Sequence, residues 1–79
     1  MIKKFHEVLG WYGVMAILGA YFLLTINVFS SENLVYQSLN LTGSIGILLD
    51  AYFQKNYQPV VLNIFWAIIA IWGIIQILV

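Results

Sequence analysis

Three long apolar stretches separated by short polar breaks make up most of this chain. The stretches cover residues 8–29, 34–53 and 59–79. Each is close to the ~20 residues that a helix needs to cross a hydrocarbon core about 30 Å thick. The pattern predicts an all-α integral membrane protein, a three-helix bundle running up, down and up. We expect a single membrane domain over residues 1–79, with helices at about 7–29, 33–53 and 59–79.

The composition of the chain points to the same class of protein. Of its 79 residues, 63% are hydrophobic and only 8% are charged, and the mean hydropathy is +0.98. A soluble domain of this length could not keep so much apolar side chain from water, so we expect the lipid bilayer as its surroundings. The net charge is zero and cysteine is absent. We therefore expect no nucleic-acid partner, and disulfides and thiolate metal sites are excluded.

The placement of charge predicts an orientation in the membrane. Three crossings put the first residues and the second loop on the same side, and the lysines at positions 3, 4 and 55 all fall there. The positive-inside rule then predicts an inner (cytoplasmic) membrane protein with its N-terminus in the cytoplasm and its C-terminus outside. In the outer loop, Ser30 or Ser31 is the expected cap of helix two, with Glu32 in its first turn.

Small and polar residues recur at the helical period and form one stripe on each helix. Small residues let helix backbones approach closely, and we expect the stripes to face one another or a partner subunit. The predicted packing residues are Gly10, Gly13, Ala20, Gly43 and Gly73.

Counting residues from the predicted boundaries places the polar side chains at two depths. At 1.5 Å per residue, Asp50 and Asn63 both lie roughly 6 Å inside the inner boundary, where they would be able to meet. Asn40 lies towards the outer side, level with Trp72 and Gly73.

Four residues are candidates for contact with a ligand, namely Asn63, Trp66, Asn40 and Asp50. An amide and an indole on one helix face suit a polar, ring-shaped solute, although clamping of helix three to a neighbour explains Asn63 equally well. Asn40 more often acts as interhelical glue. For Asp50, a solvated or structural role and a lined cavity are equally weighted. His6 falls in the predicted polar arm and receives no role.

The signatures of common enzyme classes are missing from the sequence. There is no H-E-x-x-H, G-x-S-x-G or phosphate-loop motif, and no cluster of metal-ligating residues. We therefore expect no catalytic residues, no metal and no cofactor.

Two short motifs carry a resemblance to known proteins. They are N-L-x-G at residues 40–43 and P-x-V-x-N-x-x-W at residues 59–66. Both resemble the pattern of a family of small, uncharacterised three-span bacterial membrane proteins. More distantly, the chain resembles the triple-helix unit of the SemiSWEET and PQ-loop transporters, which Gly43, Pro59 and Asn63 would match.

The resemblance to the transporters implies a parallel homodimer with a central sugar pocket near Asn63. The chain departs from the transporter pattern in two ways: Ala20-Tyr21 replaces the Pro-Gln pair, and Ile47 stands where a tryptophan is expected.

Two functions of different classes remain open from the sequence. The first is a half-transporter that moves a small neutral metabolite, such as a sugar, as a homodimer, because three helices alone cannot enclose a path. The alternative is a non-transporting structural or accessory subunit that docks on a larger membrane complex through its small residues. A holin-like pore fits the size of the chain but not its ordered polar stripes.

Overall fold

The computed structural model describes residues 5–30 and 32–79. Within these residues the chain forms three helices, α1 (Phe5–Thr25), α2 (Leu34–Phe53) and α3 (Tyr57–Leu78). The middle helix, α2, packs against both of the others, and the described parts of α1 and α3 do not contact each other. The architecture is therefore an open row of three helices with α2 at its centre.

The C-terminus of α1 is set by an asparagine in the left-handed conformation. The backbone of Asn27 has φ 68°, and its N–H donates to the carbonyl oxygen of Leu24 at 3.1 Å while Val28 N–H donates to that of Leu23 at 2.9 Å. This pair of bonds is a Schellman motif, in which asparagine substitutes for the usual glycine. The helix consequently ends before residue 29, the end predicted from apolar content alone.

Asn33 caps the N-terminus of α2. Its side-chain oxygen accepts hydrogen bonds from the backbone N–H groups of Val35 at 2.8 Å and Tyr36 at 3.3 Å. The expectation that Ser30 is the cap was therefore wrong, and Ser31 lies outside the described residues. Glu32 precedes the cap and is not part of the first turn.

The second reversal repeats the geometry of the first. Lys55 adopts φ 59°, and Asn56 N–H donates to the carbonyl oxygen of Ala51 at 2.9 Å, which is again a Schellman bond. Helix α3 then begins at Tyr57, earlier than the predicted residue 59. Pro59 is its third residue, in the first turn, where a missing N–H leaves no helical hydrogen bond unmade.

Small residues make up the interior of the described chain. Its buried hydrophobic residues are Ala20, Ala51 and Ala70, and Ser44 is fully buried. Large apolar side chains point outwards instead; Trp11, for example, is 69% exposed. A soluble protein of this size would bury such side chains to form a core.

Two of the described helices, α1 and α3, are long and apolar enough to cross a membrane. Only 17% of the most apolar part of α1 and 11% of that of α3 is buried inside the structure. Helix α2 has a comparable length of 20 residues. Its polar side chains make it less apolar than α1 and α3, and its composition alone does not mark it as a membrane span. Three membrane-spanning helices were predicted, and the structure supports two of them by length and composition.

Glycines allow α1 and α2 to approach with their backbones in contact. A Cβ atom added to Gly13 would overlap the carbonyl oxygen of Gly43, and one added to Gly46 would overlap that of Leu9. Gly46 was not among the predicted packing residues, because it lies beside the polar stripe of helix two and not on it. Any side chain at Gly13 or Gly46 would push the two helices apart.

The remaining predicted packing residues lie at helix contacts as well. Gly10 and Ala20 are buried on α1. Gly73 lies on the other side of the row, where an added Cβ would be 2.6 Å from the side-chain nitrogen of Gln37 on α2. Helix α2 thus uses two separate faces, one for each neighbour.

Candidate functional site

The polar side chains that include Asp50, Asn40 and Trp66 form two groups at different heights along α2. The first group joins α1 to the C-terminal end of α2, and the second joins α2 to α3. Each is held by a side-chain hydrogen bond between residues far apart in sequence.

His6 and Asp50 form the centre of the first group. The distance from His6 Nδ1 to Asp50 Oδ1 is 2.7 Å, and their side chains are 21% and 23% exposed. Gln54, one turn after Asp50, donates to the same carboxylate oxygen at 2.9 Å. The ring of His6 also stacks on Phe53, with centroids 5.2 Å apart. Gly10 leaves the space for this arrangement, since an added Cβ there would overlap the Asp50 carboxylate.

This geometry corrects two expectations from the sequence. His6 is not part of a polar arm without a role, because α1 already begins at Phe5 and carries His6 in its first turn. Asp50 does not pair with Asn63: among the described residues its hydrogen-bond partners are His6 and Gln54.

Asn40 and Trp66 form the centre of the second group. The indole N–H of Trp66 donates to the side-chain oxygen of Asn40 at 3.2 Å, and the Asn40 amide donates to the carbonyl oxygen of Tyr36 at 3.0 Å. Asn40 is only 6% exposed. It was expected at the level of Trp72 and Gly73, and the structure instead pairs it with Trp66.

Asn63 lies one turn before Trp66 on α3. It is 6% exposed, and its amide donates to the carbonyl oxygen of Pro59 at 2.8 Å. Trp66 itself remains 43% exposed. The structure therefore brings Asn40 and Trp66 into direct contact, and it does not bring Asn63 to Asp50.

Most of these polar groups already have partners within the protein. In the described part of the chain, no fully buried side-chain nitrogen or oxygen lacks a hydrogen bond. No group of three or more potential metal ligands occurs among the same residues. The geometry is that of a pre-organised polar seam between helices, with the exposed ring of Trp66 at its edge.

A cavity of about 510 Å³ lies away from both groups, between the start of α2 and the second half of α3. None of the four predicted ligand residues lines it. Its walls are Glu32, Gln37, Ile69, Trp72, Gly73, Gln76 and Ile77. This cavity was not predicted from the sequence, although Trp72 and Gln76 lie one helical turn apart and therefore share a face of α3.

Comparison with known proteins places the chain in a family. A family model matches residues 6–79, which include both motifs noted in the sequence. The chain belongs to that family, which is uncharacterised. No curated protein and no solved structure matches the chain. The comparisons provide no link to the SemiSWEET and PQ-loop transporters.

Proposed function

We propose that this protein is a membrane half-transporter, in which two parallel copies move a small neutral metabolite, with sugars as the first class to test. The observation that carries the proposal is the open row of helices, in which the described parts of α1 and α3 do not contact each other. A solute path cannot run inside such a row and would have to form between two copies.

The outward-facing apolar side chains support a membrane location. The side chains of Trp11, Ile69 and Leu78 are 67–71% exposed, which is favourable in lipid and costly in water. Under this proposal α2 also crosses the membrane, and α1 and α3 shield it on either side. The lysines at positions 3, 4 and 55 then favour a cytoplasmic N-terminus and an external C-terminus.

The ligand contacts of the proposed path are Trp66, Asn63 and Asn40, with Asp50 nearer the inner end. The half-exposed indole ring of Trp66 offers a stacking surface for a sugar ring. Its hydrogen bond to Asn40 fixes the orientation of that surface. Asn63 lies one turn away and supplies an amide. The distant resemblance to SemiSWEET transporters at Gly43, Pro59 and Asn63 is consistent with this arrangement.

A second function, a non-transporting accessory subunit, is favoured by one specific observation. Asn40, Asn63 and Ser44 each make a hydrogen bond within the protein, so none of these side chains requires a solute to complete its bonding. One observation argues against docking on a partner through small residues. Gly13 and Gly46 already lie in the contact between α1 and α2.

The first test is the oligomeric state in lipid nanodiscs by native mass spectrometry, followed by solute counterflow in proteoliposomes with a panel of neutral sugars and polyols. The half-transporter should be dimeric and should exchange at least one of these solutes. Trp66→Phe and Asn63→Ala should lower the exchange rate, since they alter the proposed path.

Matched variants exclude general effects of substitution. Trp11→Phe alters a tryptophan on the exposed face of α1, and Asn56→Ala alters an asparagine that makes no side-chain cap bond. Both should transport normally. A monomer without exchange activity would overturn the proposal, and co-purification with a larger membrane complex would favour the accessory subunit.

A further inference from the structure

The cavity between α2 and α3 brings several polar side chains together. Glu32 is one of only three acidic residues in the sequence. It lines the cavity together with the amides of Gln37 and Gln76. Trp72 forms part of the same wall and is 60% exposed. A carboxylate, an indole ring and two amide side chains therefore share one space of about 510 Å³.

Among the residues that the structure describes, no cation pairs with the carboxylate of Glu32. Within residues 5–30 and 32–79, Glu32 makes neither a hydrogen bond nor an ion pair. The sequence has three lysines and no arginine, and the described lysine, Lys55, follows the opposite end of α2. A helix of 20 residues is roughly 30 Å long, which is several times the screening distance of about 8 Å at physiological salt.

We propose that this cavity binds a small organic ammonium ion. A cation next to a carboxylate and over the face of a tryptophan gains from both the ion pair and the cation–π interaction. An anion would be repelled by Glu32, because the lining contains no positively charged residue. Glu32 is also the only acid in the lining, whereas Ca²⁺ takes six to eight oxygen ligands. A quaternary or alkyl ammonium ion needs only one charge and an aromatic surface.

This site is independent of the proposed transport path. Asn40, Asn63 and Trp66 are not among the residues that line the cavity. It would therefore bind its ligand whether the protein is a half-transporter or an accessory subunit.

The site can be tested by isothermal titration of the full-length protein in maltoside micelles with tetramethylammonium chloride, using sodium chloride as the blank. We expect saturable binding of tetramethylammonium. Glu32→Gln and Trp72→Leu should each weaken it at least tenfold, while Trp72→Phe should retain part of the affinity because it keeps an aromatic face. Circular dichroism of each variant would establish that the helices are intact.

The chain offers a matched control on α1. Glu7 and Trp11 stand one turn apart, and they line a more open groove with Val8, Tyr12 and Met15. Glu7→Gln and Trp11→Leu should leave tetramethylammonium binding unchanged. Equal losses in these controls, or binding that survives Glu32→Gln, would overturn the assignment, as would the absence of saturable binding to the unaltered protein.

The ammonium group could belong to a soluble molecule or to a lipid headgroup, and a second titration separates these sources. If choline and short-chain phosphatidylcholine bind with equal affinity, and Glu32→Gln weakens the binding of both, the result supports a soluble ligand. Much tighter binding of the short-chain lipid, with the same sensitivity, supports a headgroup whose chains extend over Ile69 and Ile77. If Glu32→Gln leaves the affinity for the lipid unchanged, the proposed ammonium site is overturned.

Discussion

His6 Nδ1 lies 2.7 Å from Asp50 Oδ1 although 44 positions separate the two residues in sequence. The contact joins the first turn of α1 to the last turn of α2. Phe53 closes one side by stacking on the imidazole, and Gly10 leaves room for the carboxylate. The acidic side chain of Asp50 thereby has specific partners within the protein, which account for its position without a solute.

Breaking the pair of His6 and Asp50 should weaken the contact between α1 and α2. We expect Asp50→Ala to lower the free energy of unfolding by about 1–3 kcal/mol, because it removes a hydrogen bond to a charged group that is largely shielded from solvent. A double-mutant cycle with His6→Ala, measured by denaturation with sodium dodecyl sulfate in mixed micelles, should show a coupling energy of about 0.5–1.5 kcal/mol. Glu7→Ala is the control, and additive effects of the two substitutions would contradict a direct interaction.

The close approach of α1 and α2 predicts strong position dependence for added methyl groups. Gly13→Ala and Gly46→Ala should each destabilise the fold by about 1–3 kcal/mol, because the new Cβ would overlap backbone oxygen of the facing helix. Gly19→Ala is the matched control on the same helix as Gly13: a Cβ there meets no atom within 4 Å. It should be neutral or stabilise by up to about 1 kcal/mol through its helix propensity. Equal effects at all three positions would argue against the packing described.

The cap of α2 can be assigned by substitution. Asn33→Ala should cost about 1 kcal/mol, because it leaves two backbone N–H groups at the start of the helix without their acceptor. Ser30→Ala should have little effect, since in the structure Ser30 contributes its backbone carbonyl to the turn. Thermal unfolding followed by circular dichroism would compare the two, and a larger loss at Ser30 would restore the cap expected from the sequence.

Lys55 occupies a conformation in which its side chain is a disadvantage. We expect Lys55→Gly to stabilise the protein by about 1 kcal/mol, since the left-handed conformation at φ 59° crowds any Cβ. Lys55→Ala separates this effect from the loss of charge: it retains the Cβ and should give no comparable gain. The measurement is the midpoint of unfolding for the three proteins under one set of detergent conditions, and identical gains from glycine and alanine would assign the effect to charge.

Helix content and much of the small-residue packing follow from local sequence. The apolar stretches predicted three helices at nearly the positions observed, because length and composition decide where a helix of this kind forms. The spacing of Gly10, Gly13 and Ala20 placed all three on one face, and they are buried in the structure. The ends of the helices were less predictable. Asn27 and Lys55 end α1 and α2 by adopting the left-handed conformation. Neither residue type predicts that conformation as strongly as glycine does.

The polar contacts depended on tertiary structure. Depth counting put Asp50 with Asn63 and Asn40 with Trp72, whereas the structure pairs Asp50 with His6 and Asn40 with Trp66. Depth along the membrane normal is one coordinate only. The partner of a side chain also depends on which helices are neighbours and on how they slide and rotate against each other.

The amino-acid sequence by itself thus determined that this protein is helical, where its chain reverses and which helix faces carry small or polar residues. These properties arise from local backbone preference and from the helical period. Tertiary structure decided that α2 lies between α1 and α3, that His6 meets Asp50, and that Glu32 and Trp72 line one cavity. Those outcomes depend on how the helices pack against one another. Where α1 and α2 approach as closely as at Gly13 and Gly43, for example, steric fit between distant segments sets the register.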